Sequence, residues 1–217
     1  MGNGMKTIDL NNWPRRAHYE FFRTFDDPFF DVSARVDVTE LVNFVRRTDR
    51  SLFATLMHTA LRAANATRNL RYRFRGDQVL EVDTNHASFT LLDDDETFNY
   101  ATALYCDDLD EFSERIRRSA GAQRNRQDLN LDDDHRLELV YITSMPWLDF
   151  QSISHPMPGD PADCAPRIAW GKVVEVNQGH EPRHEVTVQL TVHHALADGL
   201  HAARFFEHFR QFVGELA

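Results

Sequence analysis

The sequence predicts an α+β two-layer sandwich in which one mixed β-sheet is covered by helices. Segments of alternating apolar residues recur along the chain, and four or five segments with helical apolar spacing lie between them. Neither an internal repeat nor a linker divides the 217 residues, of which 42% are hydrophobic, enough for one sizeable core. We therefore expect a single domain over residues 1–217, with residues 1–5 as a disordered N-terminal extension.

The N-terminal half is predicted to alternate helices with strands. Pro14 is tolerated in the first turn of a helix, so a short helix with an inward aromatic face is predicted up to Phe22. The other elements expected here are a strand at 29–38, a helix at 39–48 capped by Thr39, a helix at 51–67, a hairpin of 71–75 with 79–82, and strands near 87–92 and 97–104.

The C-terminal half is predicted to hold a charged helix at 109–125, strands at 137–143, 147–153, 167–177 and 184–193, and a closing helix at 200–213. The last strand ends in His193-His194, and the helix begins just after Asp198-Gly199. A strand that leads into a sharp turn holds an imidazole rigidly, so His194 is a candidate general base. His193 should point to the other face of the strand because strand side chains alternate.

Composition excludes several classes of protein. A formal charge of −10 and a pI near 5.5 argue against a nucleic-acid surface. Cys106 and Cys164 have neither zinc-ribbon nor disulfide-framework spacing, which fits a reducing cytoplasm. No run approaches the 18 apolar residues typical of a membrane span, so we expect no membrane association.

Metal chemistry is a weaker interpretation of the histidines. The string at 180–184 resembles the His-Glu-x-x-His motif of zinc proteases, but Pro182 breaks the helix that this motif requires. His194, Asp198 and His201 could converge on a metal, although no acidic cluster nearby completes the set. The aspartate runs 93–95 and 132–134 lack calcium-loop spacing and are expected to be solvated turns. Three interpretations of His194 remain open: a metal ligand, a buried structural histidine and a general base. The metal ligand is the least favoured of the three, and we expect no bound metal.

Three segments in order resemble the signatures of the chloramphenicol acetyltransferase family. They are residues 193–205, residues 12–21 and residues 143–150, and Ala165-Pro166 and Lys172 keep the spacing that follows. The resemblance covers nearly the whole chain. It implies the fold of CoA-dependent acyltransferases and a homotrimeric cytoplasmic enzyme that uses acetyl-CoA as co-substrate, without a permanently bound cofactor.

The resemblance also implies roles for individual residues. His194 matches the general base that takes the proton of the acceptor hydroxyl, which suits a neutral imidazole near pH 7. Thr143 lies where the family has a serine that stabilises the tetrahedral oxyanion, and threonine keeps that hydroxyl donor. Asp198 and Arg15 match a salt bridge that holds the histidine turn, and Lys172 is the candidate for the CoA phosphates.

The acceptor pocket implied by the resemblance is apolar and aromatic. Its residues would be Trp13, Phe22, Phe30, Thr90, Phe98, Trp147 and Ala169. Phe22 and Asp163 replace tyrosines of the family, Ala169 replaces a threonine, and Ser51 replaces a lysine near CoA. These departures leave the reacting residues in place and concern the acceptor and the cofactor contacts.

The function implied is transfer of acetyl from acetyl-CoA to a small hydroxylated acceptor. Chloramphenicol is the first acceptor to test, and antibiotic inactivation the corresponding role. The active site would lie between subunits, with the histidine of one facing the pocket of its neighbour. Two alternatives remain: the same chemistry on another hydroxylated small molecule, and a catalytically silent protein that binds an aromatic ligand.

Overall fold

The computed structural model describes residues 4–124, 129, 136–157, 163–177 and 182–217. Within these residues the helices are α1 (Arg16–Phe22), α2 (Thr39–Thr48), α3 (Leu52–Ala66), α4 (Leu109–Gln123) and α5 (Gly199–Gly214). The strands described are β1 (Met5–Thr7), β2 (Phe29–Asp37), β3 (Tyr72–Arg75), β4 (Gln78–Val82), β5 (His86–Leu92), β6 (Phe98–Ala103), β7 (Leu139–Ser144), β8 (Arg167–Trp170), β9 (Val174–Asn177) and β10 (Pro182–His193).

The main sheet has the strand order β2-β10-β8-β7-β5-β6, and β9 extends the pairing of β10. Strands β5 and β7, and β7 and β8, run parallel, whereas the other neighbours are antiparallel. The predicted α+β sandwich with a mixed sheet is confirmed.

The hydrophobic core lies between one face of this sheet and the helices. Alternate residues of β10, Val188, Leu190 and Val192, are buried against apolar residues of α3 and α5. The intervening residues of β10 point to the opposite face, where Thr187, Gln189 and Thr191 are also buried. The sheet therefore has one apolar, helix-covered face and one polar face.

A second, smaller apolar cluster lies behind the turn that follows β10. Strands β1, β4 and β3 form a separate antiparallel sheet, and Tyr72 and Phe74 from it pack with Tyr19 of α1. Ala195 and Leu196, from the turn itself, belong to the same cluster. The backbone after His194 is therefore packed against buried aromatic side chains.

Two predictions about the starts of elements are wrong. Gly4 and Met5 belong to no extension: the Gly4 carbonyl accepts the Asp83 N–H at 2.8 Å, and Met5 pairs with Val82 in β1. Residues 1–3 lie outside the described part of the chain. Thr39 does not cap α2, because Asp37 accepts the Thr39 N–H at 2.9 Å instead.

The expected strand at 147–153 is a loop, and the expected strand at 167–177 is split into β8 and β9. The loop satisfies its backbone elsewhere: Lys172 N–H donates to the Leu148 carbonyl, and the Gln189 side chain accepts the Ile153 N–H. Because Lys172 bonds to this loop, it leaves the ladder with β10, and pairing resumes at Val174 opposite Glu185.

Candidate active site

The His194 imidazole lies where β10 leaves the sheet. Its backbone N–H donates to the Pro28 carbonyl at 2.8 Å, which ties this end of the strand to the segment before β2. The ring stacks on Phe22 of α1, with centroids 4.0 Å apart and planes 3° from parallel. Its centroid is also 4.8 Å from that of Phe30 on β2. The ring is therefore half-buried against two aromatic side chains on a rigid strand end.

Arg15 holds the turn after His194. Its Nε donates to the Ala195 carbonyl at 2.9 Å, and one terminal nitrogen donates to the His194 carbonyl at 2.6 Å. The other terminal nitrogen binds the Asp198 carboxylate at 2.7 Å, which is the ion pair expected from the sequence. Because the Arg15 side chain is 9% exposed, these charge-assisted bonds are largely shielded from solvent.

Asp198 also begins α5. Its Oδ1 accepts the Leu200 N–H at 3.1 Å, and its own N–H donates to Nδ1 of His201 at 3.1 Å, so the two residues form a reciprocal cap. Burial raises the pKa of the Asp198 carboxyl. The hydrogen bond from Arg15 and the charges of His201 and Arg15 together lower this pKa by more than burial raises it. The net pKa lies below the usual value, so the carboxylate keeps its charge at the helix start.

His193 faces the other side of the strand, as the alternation predicts. Its ring meets Phe74 and Phe29 edge-on at 4.8 and 5.0 Å, and its Nδ1 accepts the Ala195 N–H at 3.1 Å. Burial, and then the neighbouring charge of His194, lower the pKa of His193 to about 4. His193 is therefore neutral near pH 7 and supports the turn.

Thr143 lies far from His194 within one chain. It is on β7 beside Ala169 of β8, which is beside Gln189 of β10. Gln189 precedes His194 by five residues, so strand geometry separates the two Cα atoms by roughly 19 Å. Thr143 also follows the buried core residue Ile142 and so lies on the polar face of the sheet. A single chain does not bring these two predicted catalytic residues together.

The predicted acceptor residues divide into two groups. Phe22 and Phe30 contact the His194 ring. Thr90 and Ala169 lie on the polar face of the sheet with Thr143, because each neighbours a core residue in its strand. Phe98 shares this face, opposite Leu92, and is 45% exposed.

The two tryptophans predicted to line the acceptor pocket are in different surroundings. Trp13 packs edge-on against Tyr72 at 5.5 Å and near Tyr19, in the smaller apolar cluster. Trp147 is 68% exposed in the loop after β7. Trp13 thus packs in the same apolar cluster as Ala195 and Leu196 of the histidine turn. Trp147 is exposed and can contact a ligand or another chain.

The two residues expected near CoA, Lys172 and Ser51, lie outside β10 and the turn that follows it. Lys172 is exposed at the end of β8, and its N–H is bound to the Leu148 carbonyl at 2.9 Å. Ser51 caps α3 by accepting the Ala54 N–H at 3.3 Å. Asp163, which replaces an acceptor-pocket tyrosine of the family, forms a largely buried ion pair with Arg167.

Metal binding finds no support in the described residues, which contain no cluster of three potential ligands. Pro182 and His184 are in strand β10, which lacks the helical frame of a zinc-protease motif, and His180 and Glu181 lie outside the described residues. The aspartate run 132–134 also lies outside them. The run 93–95 forms the β5–β6 turn, but Asp93 is buried rather than solvated and accepts from Asn99. None of the described helices has the length and apolarity to cross a bilayer.

The contacts that hold the loop after Thr143 could not be predicted from the sequence. Arg35 binds both oxygens of Asp149, at 2.7 and 3.1 Å, although 114 residues separate them. A Cβ on Gly171 would lie 2.7 Å from the Leu148 carbonyl oxygen, so the loop passes where only glycine fits. Isolated charges and a single glycine carry no pattern that would reveal such pairs.

Known proteins similar to the chain were identified by sequence and by structure. The family model for chloramphenicol acetyltransferase matches residues 3–210. Chloramphenicol acetyltransferase 2 of Escherichia coli is 28% identical over 203 residues, covering 91% of this chain and 92% of that protein.

Two solved structures share the fold. A chloramphenicol acetyltransferase superposes with a TM-score of 0.86 at 24% identity, covering 96% of this chain and 99% of the other. A probable dihydrolipoamide acetyltransferase from Listeria monocytogenes superposes with a TM-score of 0.68 at 18% identity, covering 98% and 95%. At these identities the likenesses concern the fold.

Proposed function

The chain belongs to the chloramphenicol acetyltransferase family of acetyl-CoA-dependent O-acetyltransferases, and we propose that it acetylates a primary hydroxyl of an aromatic acceptor such as chloramphenicol. Inactivation of the antibiotic is the corresponding role. The observation that carries the proposal is the His194 imidazole, held on a rigid strand end by aromatic contacts and by the Arg15 bonds to its turn.

His194 acts as the general base in this proposal. Its Nε2 takes the proton of the acceptor hydroxyl while the hydroxyl oxygen attacks the thioester carbonyl of acetyl-CoA. The tetrahedral intermediate then collapses, the carbon–sulfur bond breaks, and the CoA sulfur leaves with the proton held by the imidazolium. Direct transfer of this kind needs no acyl-enzyme, in keeping with a sequence that lacks a nucleophile elbow.

The surroundings of His194 suit this role. Nδ1 of His194 is buried and has no hydrogen-bond partner among the described residues, which leaves Nε2 as the nitrogen available to an acceptor hydroxyl. The flat contact with Phe22 limits rotation of the ring. A base that is fixed in direction loses little entropy when it meets the acceptor.

Thr143 supplies the oxyanion donor from a second copy of the chain. Since Thr143 and His194 lie roughly 19 Å apart on opposite faces of one sheet, a shared site requires the His194 end of one subunit to meet the polar sheet face of its neighbour. Thr90, Ala169 and the exposed Phe98 lie on that face with Thr143. A homotrimer, as in the family, arranges three such sites.

The direct test is release of the CoA thiol from acetyl-CoA, with and without chloramphenicol. We expect antibiotic-dependent release, and we expect His194→Ala to lower kcat by about 10²–10⁴-fold, the usual contribution of a general base. His18→Ala, which removes an exposed histidine of α1, is the matched control and should keep wild-type turnover. Full turnover by His194→Ala would exclude the proposed role.

A different hydroxylated acceptor is the second candidate. Phe22, Ala169 and Asp163 each lack the hydroxyl found in the family, so polar contacts to the acceptor are altered. Failure of chloramphenicol together with His194-dependent acetylation of another compound in an acceptor screen would favour it. Ligand binding by calorimetry without any acetyl transfer would instead indicate a silent binding protein.

A further inference from the structure

The side chain of His201 closes the first turn of α5, just after the turn that bears His194. Its Nδ1 lies 3.1 Å from the backbone nitrogen of Asp198 and 2.9 Å from Oδ1 of the same residue. A single ring nitrogen is thus within hydrogen-bonding distance of one donor and one acceptor.

These two contacts exclude each other, because Nδ1 carries either a lone pair or a proton. With the lone pair it accepts the Asp198 N–H and completes the reciprocal cap of α5. With a proton it donates to Asp198 Oδ1, and the backbone N–H of Asp198 loses its acceptor. The protonation state of His201 therefore selects between two arrangements of the cap.

The charges that face His201 are those of Asp198, Arg15 and Arg204. Burial lowers its pKa, Asp198 acts in the opposite direction, and the two arginines lower it again, so that the net pKa lies below the ordinary value. The side chain is 14% exposed. The neutral, capping form is consequently the one present near pH 7.

A short chain of contacts links this cap to the proposed base. Asp198 is held on one side by His201 and on the other by Arg15, through a 2.7 Å ion pair. The same guanidinium binds the carbonyls of His194 and Ala195. A change in the position of Asp198 is therefore transmitted through Arg15 to the backbone of His194.

We propose that His201 is a positioning residue for His194: its neutral imidazole completes the cap of α5 and fixes the base-bearing turn, and its protonation moves the ring's hydrogen bond from the Asp198 N–H to the Asp198 carboxylate that Arg15 also binds. This inference rests on the proposed function, because it assigns His201 a part in orienting the base of that reaction. Activity then also depends on the protonation state of His201, a residue that does not touch the substrate.

The test compares His201→Gln with His201→Ala. Glutamine keeps an acceptor for the Asp198 N–H, as in an ordinary capping box, but does not titrate. We expect His201→Ala to lower kcat for chloramphenicol about ten-fold at pH 7.5 with little change in KM, and His201→Gln to restore it. His208→Gln, which removes another histidine of α5, is the matched control.

The pH profile separates positioning from plain structural support. In the wild type, protonation of His201 should add a loss of about ten-fold to the fall of kcat/KM at low pH, the same loss as in His201→Ala, and His201→Gln should lack this additional loss. Superimposable pH profiles of the wild type and His201→Gln, or an unchanged kcat in His201→Ala, would overturn the role of His201 while leaving a His194-dependent reaction intact.

A second readout needs no acceptor. The rate at which diethyl pyrocarbonate modifies His194, followed by peptide mass spectrometry, should change at least two-fold in His201→Ala and return to the wild-type value in His201→Gln. An unchanged rate would refute the coupling even if chloramphenicol is not the acceptor. Full turnover by His194→Ala would instead contradict the proposed function itself.

Discussion

At the scale of single residues, neighbouring imidazoles on one strand are held in different environments. His194 stacks on Phe22 at the edge of the core, whereas His193 is buried among aromatic rings with its Nδ1 bonded to the Ala195 N–H. Strand alternation predicted this division from the sequence. The partners of each ring could not be predicted, because Phe22 and Phe74 come from distant segments.

His193 should make the stability of the protein depend on pH. The unfolded chain binds a proton at His193 near the ordinary pKa of 6.5, and the folded chain binds it only near pH 4. Between these values the unfolded state holds more protons, so the stabilisation is fully present above about pH 6.5 and is lost as the pH falls towards 4. The shift corresponds to roughly 3 kcal/mol.

The variant His193→Asn tests this directly. Asparagine can accept the Ala195 N–H but does not titrate, so the fall in unfolding free energy between pH 7 and 4 should shrink by roughly 3 kcal/mol. Denaturation curves at matched protein concentration measure it. Parallel curves for variant and wild type would mean that His193 is not the group responsible.

Arg15 should matter for its geometry as well as its charge. Lysine at this position keeps the charge beside Asp198 but loses the fork that reaches the His194 and Ala195 carbonyls. We expect Arg15→Lys to lower the free energy of unfolding by about 2–4 kcal/mol, since bonds to charged groups contribute about 1.5–3 kcal/mol each. Misplacement of His194 should reduce kcat by about 10²-fold.

The neighbouring Arg16 provides the control for Arg15. It forms an exposed ion pair with Glu20 at 2.7 Å, and such pairs contribute little to stability. Arg16→Lys should therefore leave both kcat and the denaturation midpoint close to wild type. Arg15→Lys with wild-type kcat would contradict the role assigned to the fork.

At the scale of elements, the sequence predicted each α-helix in the described part of the chain and most of its strands, because their apolar periods are strong. The strand predicted at 147–153 is wrong. The apolar residues Trp147 and Phe150 suggest a strand, but the backbone of this segment bonds to Lys172 and to the Gln189 side chain instead of a neighbouring strand. The spacing of apolar residues along the sequence indicates which side chains will be buried. It does not record which backbone groups will find partners.

Gly171 is a position between elements where the fold leaves no room for a side chain. A Cβ there would lie 2.7 Å from the Leu148 carbonyl oxygen and 3.1 Å from the Phe150 ring. Gly171→Ala should push away the loop that follows Thr143, destabilise the protein by about 1–3 kcal/mol, and lower kcat/KM.

Gly121→Ala is the matched control for Gly171→Ala. A Cβ at Gly121 meets nothing within 4 Å, and the residue lies inside α4. Alanine there should raise stability by about 0.5–1 kcal/mol through its better helix propensity. If both alanine variants gained stability, the close passage of the loop past Gly171 would be wrong.

At the scale of the whole molecule, the predicted catalytic residues lie on opposite sides of one sheet. The sequence indicated both residues, but their separation depends on the strand order β10-β8-β7, which no local pattern reveals. The polar face that carries Thr143 also carries Thr90 and Ala169, beside exposed Trp147. In the proposed function, the site is completed by a second copy that brings its His194 to this face.

Subunit mixing tests this central claim most directly. His194→Ala and Thr143→Ala each remove one half of the proposed site and should be nearly inactive alone. When equal amounts are denatured together and refolded, about a quarter of the subunit contacts in a ring combine an intact His194 with an intact Thr143 of its neighbour. We predict recovery of about a quarter of wild-type turnover; a mixture no more active than the separate variants would contradict a site shared between copies.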